Sequence, residues 1–355
     1  MEGKKELEKE MRTAKIVSYA ALGVGIIAII VSVFALNSHV APPSITLLNS
    51  SGTTIVKLSN ANLLTPPLSI AADPVITENQ SFGSRLTSIN EPLNASELAA
   101  INNAPDSYFE TAANMLLNGS LSGLIFTNSF TKASYALQIN GKPTVIYLGA
   151  ISCIFCGENR WAMALALGKF GSFSQLFKGY SSFGDGDLPT IYWVPAHYNS
   201  TSTMDLGNFY QSSYINFVSM DYASPITAGF QMQGLSFVLS QVQATNNTAY
   251  ITAAQVITKN NNFQGTPYTV WGNLVSPGAD AADFGNGTLT NSSHIPMTYM
   301  THADVFSQLT NPNDKFAWTE YAAADLYIAA ACASLNNTAP ACSSIPAIKQ
   351  LEAVI

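Results

Sequence analysis

The chain has 355 residues, a formal net charge of −7 and only 10% charged residues, against a usual ~25%. It is long enough for a sizeable core and two domains. It has three arginines, Arg12, Arg85 and Arg160, and no basic cluster beyond the N-terminus. No nucleic-acid footprint can be built from that, and nucleic acid is excluded as a partner.

Ile16 to Leu36 is a run of 21 residues without a charge. As a helix it reaches about 31 Å, one hydrocarbon core, and it exceeds the ~7–15 residues of a secretory apolar region. Lys4, Lys5, Lys9, Arg12 and Lys15 precede it, and the next basic residue is Lys57. The expectation is a single-pass membrane protein with residues 1–15 cytoplasmic, a transmembrane helix at 16–36 and the bulk of the chain outside the cell. A cleaved leader ending near Val33–Ala35 is the alternative. An exterior location agrees with the even cysteine count and with Asn-x-Ser/Thr glycan acceptors at Asn49, Asn79, Asn94, Asn118, Asn199, Asn246, Asn286, Asn291 and Asn336. It also agrees with a low charge density, which limits self-repulsion among cations in acid.

Residues 37–76 are rich in Ser, Thr, Asn and Pro and read as a stalk with one short hairpin. Residues 77–130 show helical spacing broken by Asn and Gly. A turn at Asn140-Gly141 then leads into a buried strand from Thr144 to Gly149 and a helix running to about Phe170. Apolar strands follow in LPTIYWVPAHY and SYINFVSMDYA, helix over 224–260, a strand in TPYTVWGN, and a long helix in DKFAWTEYAAADLYIAAACASL. The alternation predicts an α/β domain over 131–345, with an insertion at about 188–262 and a C-terminal tail at 346–355.

Cys153 and Cys156 stand between that strand and that helix. There, unpaired backbone N–H groups and the helix dipole favour an anion, which lowers a thiol pKa and supplies a nucleophilic thiolate. The spacing lets the second sulfur close a disulfide within one turn. Redox chemistry is the leading reading; half of a Cys₄ zinc site, an inert structural bridge and chance coincidence stay open. Cys332 and Cys342 do not have the spacing of a zinc knuckle, and no metal is expected. Cys332 falls near the end of the last helix and Cys342 ten positions later, beyond Asn and Pro residues that turn the chain back. These two are expected to bond to each other as a structural clamp.

Downstream, Gly265-Thr266-Pro267 opens a strand. The combination is similar to the thioredoxin fold, where a cis proline opens the strand facing the Cys-x-x-Cys and the preceding residue pairs with substrate backbone. The stretch NGKPTVIYLGAISCIFCGENRWAMALALGKFGSFSQL goes further. With Gly141-Lys142-Pro143, Tyr147–Ala150, Cys153, Cys156 and Arg160-Trp161-Ala162, and with Thr266-Pro267, Cys332 and Cys342 beyond it, the chain resembles a family of membrane-anchored, extracytoplasmic thioredoxin-like proteins. These come from thermoacidophilic archaea, with actinobacterial relatives, and have no assigned function. The resemblance spans roughly 77–345. The central dipeptide here is Ile154-Phe155, where relatives more often carry Pro with Phe or Tyr. It implies a thioredoxin-like α/β domain with inserted strands and helices, preceded by one transmembrane helix and a small β/helical region.

Trp161 is expected in the core, with Arg160 reaching the carboxylate of Glu158 or a carbonyl. His39, His197, His294 and His302 have no ligand spacing and read as solvated loop residues. FGDGDLP reads as a turn rather than a calcium loop. The expected function is a thiol–disulfide oxidoreductase acting on the thiols and disulfides of exported proteins, together with a membrane redox partner. Cys153 is the exchanging sulfur, Cys156 the resolving one, and Thr266 and Pro267 dock substrate. No cofactor is needed, because the dithiol carries the electrons. The alternative is a non-catalytic envelope glycoprotein whose cysteine pairs are structural.

Overall fold

The computed structural model describes residues 43–59, 89–121, 130–181, 188–197, 203–223, 234–260, 262–276, 300–311, 313–336 and 338–355. The expected cytoplasmic tail and membrane helix, most of the FGDGDLP turn, and His39 and His294 lie outside these residues. Among the described residues no helix is long and apolar enough to cross a membrane.

The unit from Ser44 to Ile355 is mixed α/β. It begins with β1 (Ser44–Asn49), β2 (Thr54–Ser59), α1 (Ala95–Asn102) and α2 (Asp106–Leu117). Next come β3 (Thr131–Lys132), β4 (Tyr135–Ile139), β5 (Lys142–Ala150) and α3 (Ile154–Gly168). Short strands follow: β6 (Gly171–Phe173), β7 (Phe177–Ser181), β8 (Leu188–Tyr192), β9 (Thr203–Leu206) and β10 (Tyr210–Ser212). The chain continues through β11 (Asn216–Ala223), α4 (Leu235–Ala244), α5 (Thr248–Asn260), β12 (Tyr268–Trp271) and β13 (Leu274–Ser276). It ends with α6 (His302–Leu309), α7 (Lys315–Ser334), α8 (Ala341–Ser344) and α9 (Pro346–Leu351).

β5 is the axis of the main sheet. Asn140 and Gly141 take positive φ, 52° and 76°, which is the two-residue turn whose twist suits a hairpin. β5 leaves that turn beside β4 for its first two residues only. It then pairs in parallel with β11, from Thr144↔Asn216 to Ala150↔Tyr222, and antiparallel with β12, from Val145↔Trp271 to Leu148↔Tyr268. The sheet runs β2–β1–β4–β5–β12–β13–β3, with β11 and β9 beyond the other edge of β5. Both faces of β5 are covered, as its unbroken apolar run requires. Val145 and Tyr147 join the core around α3 and α7, while Ile146, Leu148 and Ala150 join the core under α4 and α5.

Every residue of α3 from Cys156 to Leu167 is buried. This helix is enclosed on all sides, by α7, β8, α1, β6 and β7, and it takes Glu158, Asn159 and Arg160 inside with its apolar residues.

Two expected boundaries change. β1 is not a stalk: it pairs with β4 from Ile45↔Ile139 to Asn49↔Tyr135 and buries Ile45 and Leu47 on alternate positions. The expected hairpin forms, β1 against β2; what local sequence does not reveal is the pairing of β1 with β4. β2 is the outer strand, exposed along its whole length, with Ile55, Val56 and Leu58 in the open. Nor is 346–355 a loose tail, since Pro346 starts α9, which buries Ala347, Ile348 and Leu351.

Cys332 and Cys342 are bonded, with Cα atoms 5.5 Å apart, and both are fully buried. α7 also buries Glu320 and Asp325 completely. The Glu320 carboxyl has no hydrogen-bond partner among the described residues. Burial raises both well above the ordinary carboxylate range; for Asp325, Glu110 adds to this and Lys169 opposes it. An acid whose folded pKa is raised holds its proton in the native state, so its contribution is intact below the unfolded pKa and is lost as pH rises toward the folded one. Urea unfolding should therefore show lower stability at pH 7 than at pH 4. Glu320→Gln should stabilise the protein at pH 7 and change it little at pH 4; an equal effect at both would contradict the buried neutral acid. Replacing Cys332 and Cys342 with Ala should cost about 2–4 kcal/mol, and mild reductant should open a Cys153–Cys156 bridge before this one.

Candidate active site

β5 ends at Ala150 and the Ile151 N–H still reaches Tyr222 O of β11 at 3.0 Å. The chain then turns and Cys153 becomes the N-cap of α3, with extended φ −80° and ψ 124°. Its Sγ accepts the Cys156 N–H at 3.4 Å, taking the place a Ser or Asp oxygen usually fills. On its other side the thiol lies 3.7 Å from the Thr266 carbonyl, to which it donates. The Thr266–Pro267 bond is cis. Cys153 is half-buried, Cys156 fully buried and Phe155 between them 42% exposed. A reagent arriving from solvent therefore meets Cys153 first.

The two thiols differ electrically as well. A hydrogen bond from the Cys156 thiol, then the Cys156 N–H, Thr266 and Arg160, bring Cys153 down to about 7 against the effect of burial. Burial, with the neighbouring Cys153, pushes Cys156 well above the ordinary thiol range.

Beneath the pair lies a cluster that the sequence reading assigned only in part. Arg160 is fully buried, and its Nη2 donates to the Ala150 carbonyl at 2.9 Å and to Asp221 Oδ1 at 2.6 Å. The carbonyl was foreseen; the carboxylate is Asp221 on β11 rather than Glu158. Tyr147 Oη donates to the same Asp221 oxygen at 3.2 Å, and the rings of Tyr147 and Tyr192 lie 5.8 and 5.3 Å from the guanidinium. Burial pushes the Asp221 carboxyl up, while Arg160 and Tyr147 pull it down. Gly149 makes the arrangement possible. A Cβ there would stand 1.9 Å from Tyr147 Oη and 2.6 Å from Asp221 Oδ1.

Asp205 on β9 stands directly opposite Asp221 in the antiparallel ladder. Its carboxylate accepts the His197 backbone N–H at 3.1 Å and bonds the His197 ring Nδ1. His197 and His302 are thus buried, not solvated loop residues. His302 Nε2 sits 2.8 Å from the Thr190 carbonyl, and burial lowers its pKa to about 4. Asp221 did leave a signal: it is the one carboxylate in the apolar run FVSMDYA. Trp161 is core, donating its ring N–H to Pro189 O at 3.0 Å.

Among the described residues no three His, Cys, Asp or Glu side chains group to hold a metal. Of the glycan acceptors, Asn94, Asn118, Asn246 and Asn336 are exposed and Asn49 is half-buried; Asn79, Asn199, Asn286 and Asn291 lie outside the described residues. In three of them the hydroxyl of the triplet's third residue donates to the asparagine Oδ1, Ser51 to Asn49 and Ser96 to Asn94 at 2.7 Å and Ser120 to Asn118 at 2.5 Å.

Alkylation of the reduced protein by iodoacetamide should follow a Cys153 midpoint near 7, not the ~8.5 of a free thiol. Cys156→Ala should move that midpoint upward, because the side-chain donor that most stabilises the Cys153 thiolate is gone. A midpoint at the free-thiol value would show that the N-cap does not activate the sulfur.

Residues 128–300 match the family model described as Domain of unknown function (DUF929). No curated protein and no solved structure matches the chain. The matched span is shorter than the expected 77–345. A DUF929 domain, of unknown function, is therefore found at residues 128–300; it holds Cys153, Cys156, Thr266 and Pro267 and ends before α7 and the Cys332–Cys342 bridge.

Proposed function

We propose that this protein is a membrane-anchored, extracytoplasmic thiol–disulfide oxidoreductase built on a thioredoxin-like domain, acting on exported proteins. The observation that carries the reading is the asymmetric dithiol. Cys153 caps a helix, half-open, lowered to about 7 and touching the Thr266 carbonyl, with Cys156 enclosed one turn behind it. A low-pKa exposed sulfur beside a buried resolving sulfur is what stepwise exchange through a mixed disulfide requires.

The strand order supports the thioredoxin-like scaffold. β13–β12–β5–β11 places the cysteine-bearing strand between a parallel neighbour and an antiparallel one that Pro267 precedes. On this scaffold the added segment is β6 to β10, residues 171–212, rather than 188–262, and α4 and α5 connect β11 to β12. Extracytoplasmic work is supported by the bonded Cys332–Cys342 pair and the outward-facing acceptors. The apolar run at 16–36 supports the anchor, with the N-terminus cytoplasmic.

Exchange proceeds without a cofactor. The Cys153 thiolate attacks a substrate disulfide, one substrate sulfur leaves with the electron pair, and Cys156 attacks Cys153 to release the second. Run backward, the same steps oxidise a substrate dithiol. The test uses a reduced or oxidised secreted protein as substrate. Cys153→Ser should abolish exchange, and Cys156→Ser should accumulate a mixed disulfide on Cys153. Wild-type behaviour from both single variants would leave the non-catalytic envelope glycoprotein.

A further inference from the structure

We infer that the cavity at the start of β5 is a binding site for a sugar acid, a hydroxylated ring with one carboxylate, and that Lys142 pairs with that carboxylate. The site is separate from the dithiol and does not depend on the oxidoreductase reading.

The cavity measures about 330 Å³, at the lower end of the ~300–1,000 Å³ of small-molecule sites. Its wall is made by Lys142 at the first position of β5, the Asn140 turn before it, β10, the start of β11 and the first turn of α5. β5 is nine residues long, about 26 Å at the usual strand rise. The cysteines follow its other end, so the cavity and the dithiol stand at opposite ends of one strand.

Charge selects the ligand first. Lys142 is the single charged residue in the lining, and no Asp or Glu joins it. In a chain of net charge −7 a cation without an acid beside it is the exception. The ammonium is half-buried and has three donors, of which one is used, on the Ser212 carbonyl at 2.7 Å. It makes no ion pair with a described residue. α5 starts in the same wall, where Asn247 accepts the Ala249 N–H at 2.9 Å, and a helix N-terminus favours negative charge. One cation matches one carboxylate. A phosphoryl group carries about −1.5 to −2 near neutral pH and would be left partly uncompensated.

The rest of the wall fits hydroxyls on a ring. Asn140 Oδ1 is taken by the Ser44 N–H at 2.9 Å, which leaves its amide N–H donors open. Asn216 is the converse. Its Nδ2 donates to the Ile139 and Lys142 carbonyls at 2.8 and 3.2 Å, and its Oδ1 accepts nothing among the described residues. Tyr250 lines the cavity, is 1% exposed, and its Oη has no hydrogen-bond partner among the described residues. A buried hydroxyl left unbonded is costly, and a bound group that pairs it removes the cost. With these open donors and acceptors stand the aromatic rings of Tyr210, Phe217 and Tyr250. Amides suit the hydroxyl edge of a sugar, and rings suit its C–H faces. An apolar acid would leave the amides unmatched; a neutral sugar would leave the ammonium unmatched.

The experiment is isothermal titration of the full chain near neutral pH, in a buffer free of carboxylates, with glucuronate, glucose and inorganic phosphate as probes. Glucuronate should bind at least about tenfold more tightly than glucose, the margin that one charge-assisted hydrogen bond supplies. Lys142→Gln should weaken glucuronate about tenfold and leave glucose binding as it is, and Lys142→Arg should retain the preference. If Lys142→Gln does not fold without its bond to Ser212, Tyr250→Phe, which gives up no bond, takes its place and should weaken glucuronate about threefold or more. Methyl glucuronide distinguishes the sources, and either result supports the site: binding equal to glucuronate assigns it to sugar acids carried in a chain, and lost binding assigns it to the free acid. The inference is overturned if glucuronate binds no better than glucose, or if phosphate binds as tightly as glucuronate. It is also overturned if the variant that folds stays within about twofold of wild type for glucuronate.

Discussion

Arg160 carries a charge that cannot be discarded, since a guanidinium stays protonated at any pH a protein meets. It lies on a helix with no solvent-facing side, so the surrounding chain has to supply the compensation. Asp221 comes from β11, Tyr147 from β5, the carbonyl from Ala150 and a second aromatic face from β8. Parallel pairing of β11 with β5 brings Asp221 level with Gly149, and the missing side chain there lets the oxygens meet. Removing one member of such a pair strands the other, which costs more than the pair itself contributes. Register, glycine and strand order all follow from where that one charge is held.

The dithiol sits directly on this foundation. Its asymmetry comes from the helix start, because one side of the first turn of α3 meets the surface while the other faces the interior. Cys153 and Phe155 fall on the open part and Cys156 on the closed part. The same turn brings Cys153 the Cys156 thiol and N–H that lower it, and buries Cys156. Two residues of sequence thus separate two chemically distinct sulfurs.

Much of this was legible because it is local. The Asn140-Gly141 turn, the apolar run of β5, the cysteines at a strand-to-helix switch and Pro267 ahead of β12 each announce themselves within a dozen residues. What stayed hidden depends on partners far along the chain. Asp221 is 61 positions from Arg160, and nothing in SYINFVSMDYA says which cation it meets. His197 was read as a solvated loop residue because its partner Asp205 becomes its neighbour only when β9 pairs with β11. The hairpin at 44–59 is legible in its sequence, but its membership of the main sheet is not, because β4 lies about 90 positions along the chain. The short α9 was missed because six residues are too few for periodicity to outweigh a terminal position.

The outer strand β2 has a consequence of its own. A strand exposed along its length, with Ile55, Val56 and Leu58 in the open, is a template on which a second chain can add. Its single charged residue is Lys57, in the middle of the run. A carboxylate placed there would lose its charge in acid, and the protection would lapse where the rest of this sparsely charged surface also becomes less repulsive. An ammonium keeps its charge throughout the acid and neutral range. One lysine therefore guards this edge against strand-by-strand assembly in acid, which no acidic residue in the same position could do.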